Sequence, residues 1–200
     1  KENKTLRIHR LLPLSRANGP GTRSVIWMQG CTLGCPGCCN PGMQPLSGGK
    51  KVSPAGLFAR ILRHGNQIEG ITLTGGEPLL QMEPLTDFLE IIKRCTNLSV
   101  IVFTGYTWEE TLAKNNSTAF LALVDILIAG RYDQGKKTTG SFRSSSNQTI
   151  HFLDPRYSPK DLKDIPSSEI LISEDGNAIL TGTDPAILEG MPSLTCSGDV

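Results

Sequence analysis

Long apolar runs and an excess of either charge are both missing from this 200-residue sequence. No apolar run approaches the roughly 20 residues that cross a bilayer, so the sequence predicts no membrane-spanning helix. With 20 basic and 19 acidic residues, the formal net charge is +1, and bulk electrostatics give no reason to expect a nucleic acid or an anionic membrane as a partner. Residues 1–10 are charged and lack an apolar stretch of the signal-peptide type, so we expect a cytoplasmic protein.

Internal repeats, low-complexity tracts and cysteine spacings typical of a disulfide framework are also absent. The histidines His9, His64 and His151 are isolated and show none of the paired spacing of zinc ligands. Apolar residues make up 38% of the chain and charged residues 20%, which is typical of a globular protein. From the length we expect a single domain over residues 1–200.

Apolar strand-like runs alternate with helix-like segments along most of the chain. The pattern predicts helices over 54–63, 83–95 and 107–114, and strands over 6–12, 24–28, 68–73, 98–103 and 124–129. Such alternation predicts an α/β fold with a parallel sheet, and ligands bind at the carboxyl ends of parallel strands. A closed eightfold barrel takes about 250 residues, so we expect a partial (β/α)6-type barrel with about six parallel strands.

Cys31, Cys35 and Cys38 lie in the run Gly-Cys-Thr-Leu-Gly-Cys-Pro-Gly-Cys at 30–38. Thiolates at this spacing, in a loop rich in Gly and Pro, can converge on one metal centre. A closed iron–sulfur cluster or structural zinc site takes four ligands, and a site with one fewer keeps an open metal position for a substrate or cofactor. A zinc knuckle, an ordinary ferredoxin cluster and buried core thiols are the alternatives, and the first two require a fourth ligand.

The other unusual segments follow predicted strands, at 74–78, 104–106 and 130–132. Thr104 is a candidate hydrogen-bonding residue because it lies at a strand end beside a glycine. Asp125 opens a buried strand, where a carboxylate needs a partner, either Arg131 or a bound ligand. Residues 131–148 are polar and predict a long loop, and the segments 170–173 and 178–181 predict a hairpin within about 168–182, with its turn at 174–177.

Cys-x3-Cys-x2-Cys after one strand, followed by Gly-Gly-Glu-Pro at the end of the next, resembles the radical SAM superfamily. The resemblance implies that Cys31, Cys35 and Cys38 hold a [4Fe-4S] cluster whose fourth iron is chelated by S-adenosylmethionine (SAM). The cofactor would lie at the carboxyl ends of the strands, in a core of about 18–130. The implied SAM-binding residues are Gly75, Gly76 and Glu77, which match the segment that binds the methionine amino group, together with Thr104 and Asp125.

A narrower resemblance spans about 18–148. Asn-Gly-Pro-Gly-Thr-Arg at 18–23, Trp-Met-Gln-Gly-Cys at 27–31 and Cys-Pro-Gly-Cys-Cys-Asn at 35–40 are similar to activating enzymes of glycyl radical enzymes, in the anaerobic ribonucleotide reductase branch. This implies reductive cleavage of SAM to a 5′-deoxyadenosyl radical, which takes hydrogen from a glycine of a partner glycyl radical enzyme. Flavodoxin or ferredoxin would supply the electron. The alternative is a radical SAM enzyme that acts directly on a small molecule or peptide.

Two features depart from the wider pattern. Many radical SAM proteins have an aromatic residue, which contacts adenine, just before the last cysteine. Gly37 stands there in this sequence, so another residue must support the adenine. Residues 133–142 match no part of the family pattern.

Overall fold

A mixed sheet of seven strands forms the centre of the computed structural model, which describes residues 4–172, 176 and 178–183. Its strands in chain order are β1 (Leu6–Ser15), β2 (Arg23–Met28), β3 (Lys50–Val52), β4 (Gly70–Gly75), β5 (Ser99–Thr104), β6 (Ile126–Ala129) and β7 (Thr149–Phe152). Across the sheet the order is β3-β1-β2-β4-β5-β6-β7, so β3 and β7 form its edges.

The parallel part of the sheet is smaller than the sequence predicts. β2, β4, β5 and β6 run parallel, whereas β1, β3 and β7 pair antiparallel with their neighbours. The expectation of about six parallel strands is therefore wrong for the described chain. A parallel return needs a crossover of a dozen or more residues, usually helical, and the segment 16–22 between β1 and β2 is too short for one.

Helices α1 (Pro54–Leu62), α2 (Met82–Cys95), α3 (Trp108–Leu112) and α4 (Ser117–Leu121) occupy the connections between the parallel strands. The Ser53 side chain caps α1 by accepting a hydrogen bond from the Gly56 amide. Thr107 and Glu110 form a reciprocal capping box at the start of α3. α3 ends two residues before the predicted boundary, and α4, which no sequence pattern predicted, begins after the left-handed residue Asn116.

The two faces of the sheet bury different partners, because side chains alternate along each strand. One face packs on the helices and forms the larger core; its buried strand residues are Leu6, Ile8, Ile26, Met28, Ile71, Leu73, Val100, Val102, Leu127 and Ala129. On the other face, Ile101, Ile126 and Ile128 are covered by Phe142 and by segments that follow β7. The C-terminal part of the chain therefore closes the face that the helices leave open.

A second, two-stranded sheet consists of β8 (Ser168–Ile172) and β9 (Ala178–Gly182). Their antiparallel pairing confirms the predicted hairpin, although residues 173–175 and 177 of its turn lie outside the described residues. Leu171 and Ile179 pack on Leu12, Val25 and Trp27, which places the hairpin against β1 and β2. Within the described ranges, no helix is long and apolar enough to cross a membrane.

Candidate functional site

The unusual segments of the sequence meet at one edge of the sheet. The cysteine loop follows β2, Gly76 and Glu77 follow β4, Gly105 follows β5, and Arg131 lies just beyond β6. Because these strands are parallel, all of these segments lie at their carboxyl ends. This confirms the shared placement predicted from the sequence.

Backbone hydrogen bonds hold both ends of the cysteine loop, residues 30–45. Gly30 and Cys31 donate to the carbonyls of Met43 and Gln44, at 2.8 and 2.9 Å. Between these ends, Gly34 and Gly37 have φ values of +61° and +69°, left-handed turns that favour glycine. The thiols of Cys31, Cys35 and Cys38 are half-buried along this loop.

Burial raises the pKa of the Cys31 thiol, and the nearby Glu77, Cys35 and Cys38 raise it further, while a hydrogen bond from the Leu33 amide opposes the shift. Cys35 and Cys38 thus lie near enough to Cys31 to oppose the ionisation of its thiol. A bound metal removes this opposition, because its positive charge deprotonates a coordinating thiol. This donor set fits a metal cluster.

No three Cys, His, Asp or Glu side chains in the described part of the chain converge as ligands of a single metal ion. A [4Fe-4S] cluster does not require such convergence, because each cysteine binds a different iron. The half-buried positions along one glycine-rich loop are compatible with this larger group.

Gly75 and Gly76 are packed against the backbone at the end of β2. A Cβ on Gly75, which has φ +98°, would lie 2.8 Å from the Met28 nitrogen, and one on Gly76 would lie 2.5 Å from the Gly30 oxygen. The Gly76 and Glu77 amides donate to the carbonyls of Met28 and Gly30, at 2.9 and 2.8 Å. The paired glycines therefore permit β4 to join the cysteine loop without a side chain between them.

Glu77 is almost fully buried and joins the segments after β4 and β5. Its Oε1 accepts hydrogen bonds from the Leu79 amide and the Thr104 hydroxyl, both at 2.8 Å, and its Oε2 accepts one from the Gly105 amide at 2.8 Å. Burial raises the pKa of Glu77, although these hydrogen bonds oppose the shift. Both carboxylate oxygens thus accept hydrogen bonds from protein donors. Thr104 is also buried, and its hydroxyl donates its hydrogen bond to Glu77.

Asp125 does not lie at this site, and its prediction as a SAM-binding residue is wrong. It immediately precedes β6, so it belongs to the amino-terminal edge of the parallel strands. Its Oδ2 accepts from Lys93 at 2.5 Å and from the Val100 amide at 2.6 Å, and Oδ1 is buried with no partner within the described residues. Lys93, not Arg131 or a ligand, is its counter-ion.

Arg131 lies in a polar cluster that the sequence reasoning missed. Its guanidinium binds Glu110 through two hydrogen bonds, of 2.7 and 3.0 Å, and lies 6.0 Å from the ring centroid of Tyr106. The ammonium of Lys114 lies 3.6 Å from the same centroid. Hydrogen bonding to Arg131 lowers the pKa of Glu110. The positions of these residues depend on α3, and spacing along the chain gave no sign of the cluster.

Residues 131–148, here called the strap, form an ordered turn rather than an open loop. The Ser144 amide donates to Oε1 of Gln148 at 2.9 Å, and Nε2 of Gln148 donates to the Gly130 carbonyl at 3.0 Å. The Phe142 ring packs edge-on against Phe103, with centroids 5.2 Å apart. The strap is thereby fixed to the sheet beside the cysteine loop.

The part of the chain that contains the cysteine loop, Glu77 and the strap matches one known family. Residues 17–151 match the model of the 4Fe-4S single cluster domain. The anaerobic ribonucleoside-triphosphate reductase-activating protein of Salmonella typhi is 31% identical over 157 residues, which cover 74% of this chain and 99% of that protein. The protein of the same name from Escherichia coli K12 is 31% identical over 154 residues, 72% of this chain and 97% of its own.

Two further similarities are more partial. The pyruvate formate-lyase-activating enzyme of Clostridium pasteurianum is 35% identical over 127 residues, covering 60% of this chain and 52% of that enzyme. Among solved structures, QueE from Escherichia coli aligns over 52% of this chain and 54% of its own, with 23% identity and a TM-score of 0.42.

Proposed function

Since this chain belongs to the 4Fe-4S single cluster domain family, together with activating proteins of glycyl radical enzymes, we propose that it forms a radical on a glycine of a partner enzyme. The chain is a radical SAM enzyme of the activating type. Relatives that align over 97–99% of their own length are named for activation of the anaerobic ribonucleoside-triphosphate reductase, which is therefore the proposed partner.

Hydrogen bonds from Thr104 and Gly105 to the Glu77 carboxylate form what is here called the Glu77 clasp. The observation that carries this proposal is that the cysteine loop meets this clasp at the carboxyl ends of adjacent parallel strands. Cys31, Cys35 and Cys38 are the proposed ligands of the [4Fe-4S] cluster, and SAM would bind beside Gly75 and Gly76. Bound there, the cluster and SAM would supply one-electron reductive chemistry, in which transfer of an electron to SAM would give methionine and a 5′-deoxyadenosyl radical able to take a hydrogen atom from the substrate.

The residues of this chain hold and orient these groups. Glu77 fixes the segment after β4 to Thr104 and Gly105, and it acts as a positioning residue because its oxygens already accept protein hydrogen bonds. Thr104 supports Glu77 in the same way. Gly75 and Gly76 remain proposed SAM-binding residues through their backbone.

We further propose that the whole chain, residues 1–200, is one catalytic domain and that its sheet curves as a partial barrel. Its open side would admit a loop of the partner enzyme. A small electron-transfer protein, flavodoxin or ferredoxin, is the proposed source of the electron.

Replacement of Cys35 by alanine tests the cluster assignment. We expect reconstituted C35A to lose the iron and sulfide of the cluster and to form no detectable 5′-deoxyadenosine from SAM under reducing, anaerobic conditions, because one of three ligands is missing. Cys95→Ala, at an exposed cysteine that ends α2, is the matched control and should retain both properties. A C35A protein that still forms 5′-deoxyadenosine would show that the cluster is held elsewhere.

Electron paramagnetic resonance on an anaerobic mixture tests the partner. The mixture contains the reconstituted protein, SAM, a chemical reductant and an anaerobic ribonucleotide reductase. We expect a stable organic radical on the reductase, matched in amount by 5′-deoxyadenosine. Formation of 5′-deoxyadenosine without a partner radical would favour the second candidate, a radical SAM enzyme acting directly on a small molecule or peptide.

A further inference from the structure

A cavity of about 410 Å³ lies between the cysteine loop and the strap. The cysteine loop supplies Leu33, Cys35 and Pro36 to its wall, and the strap supplies residues 131–135 and Asn147. This volume is within the range of small-molecule sites, about 300–1,000 Å³. Because a proposed cluster ligand lines the cavity, any compound held here would lie directly beside the cluster.

The strap fills the space that a side chain at position 37 would need. A Cβ built on Gly37 would lie 2.5 Å from Oε1 and 2.8 Å from Cδ of Gln134. Gly37 also has φ +69°, which disfavours any residue with a side chain. The Gln134 carboxamide of the strap therefore lies over Gly37, and it can do so because the residue just before Cys38 has no side chain.

Some hydrogen-bonding groups on the cavity wall already have partners within the protein, and others do not. Arg131 is bound to Glu110, and Asp133 accepts from the Gly135 amide and pairs with Lys136. The amide nitrogen of Asn147 donates to the Arg131 carbonyl at 2.8 Å. The exposed amide of Gln134, by contrast, makes no hydrogen bond within the described ranges, so its donor and acceptor are available to a ligand.

A carboxamide presents a donor and an acceptor side by side, and this pair complements the 6-amino group and adjacent ring nitrogen of adenine. Leu33, Pro36 and the Tyr132 ring add apolar surface on which a flat base can lie. We propose that this cavity receives the adenine of SAM and that Gln134 hydrogen-bonds to the edge of the base. The inference rests on the proposed function, since it assigns a part of the cofactor to the same site.

Calorimetric titration of the reconstituted protein under anaerobic conditions tests this role without any turnover. The two probes are S-adenosylhomocysteine and the same compound with hydrogen in place of the 6-amino group of adenine. We expect the wild-type protein to bind the adenine compound about tenfold more tightly, the discrimination typical of one bidentate contact. In Gln134→Ala this preference should fall to nearly equal binding, whereas Gln67→Ala, an exposed glutamine outside the cavity, should retain it.

The other outcomes distinguish a failure of the role of Gln134 from a failure of the proposed function. If Gln134→Ala binds S-adenosylhomocysteine with its preference for adenine unchanged, the role of Gln134 is wrong while the proposed function stands. A loss of affinity that is equal for both probes also overturns that role, because it would reflect packing rather than contact with the base edge. If the wild-type protein binds neither probe, the proposed function fails, and the adenine site fails with it.

Discussion

At the scale of single residues, the Glu77 carboxylate joins the loops that follow β4 and β5 by accepting hydrogen bonds from both. We expect Glu77→Gln to lower the free energy of unfolding by about 1–3 kcal/mol, because either orientation of the amide turns an N–H group towards at least one backbone N–H of Leu79 or Gly105. Urea denaturation measures this. Glu90→Gln is the control, since Glu90 is exposed on α2 and should change stability by less than about 0.5 kcal/mol. Equal effects of the two substitutions would contradict the clasp.

His151 predicts a dependence of stability on pH. It stacks on Trp108, with ring centroids 4.2 Å apart, and its burial lowers its pKa although the nearby Glu109 opposes this shift. Because the folded protein binds this proton more weakly than the unfolded chain, stability is full above the unfolded pKa of about 6.5 and falls as the pH drops through the folded value. We expect the loss of melting temperature between pH 8 and pH 5 to be smaller in His151→Phe than in wild type. An unchanged pH dependence would contradict this account.

At the scale of elements, one buried ring packs the strap against the face of the sheet. Phe142 of the strap packs in one cluster with Phe103, Ile101, Ile126 and Ile128 of the sheet. We expect Phe142→Ala to cost about 3–5 kcal/mol in urea denaturation, the usual cost of removing a buried phenylalanine side chain, and Phe142→Leu to cost less because it retains most of the volume. If both variants matched wild type, the strap would not be fixed through this ring.

The elements that the sequence predicted well are those with local determinants. The helices predicted from residues 54 and 107 begin within one residue of the observed starts of α1 and α3, because Ser53 and the Thr107–Glu110 box cap them through residues only three apart. The edge strands β3 and β7 were missed, because each is short and gains its backbone partners from distant strands. The strap was predicted only as a long loop, since its order comes from Gln148 and Phe142 contacting groups remote from the local pattern.

At the scale of the whole molecule, the meeting of four loops at one edge followed from the sequence because parallel strands bring their carboxyl ends together. The same rule explains the error at Asp125. A residue that begins a strand lies at the opposite edge from one that ends it, and Lys93 of α2 supplies the charge there. The role of Gln134 was not predictable, since its approach to Gly37 requires the folded strap.

The edge of the sheet formed by β3 has a consequence for behaviour at high protein concentration. This strand is three residues long and carries two exposed lysines, Lys50 and Lys51. A second copy of the chain pairing with this edge would meet few unpaired backbone groups, and pairing of two β3 strands would bring their lysines close together. Short, basic β3 therefore disfavours polymerisation of the protein through this edge, so that its strands remain paired within one molecule.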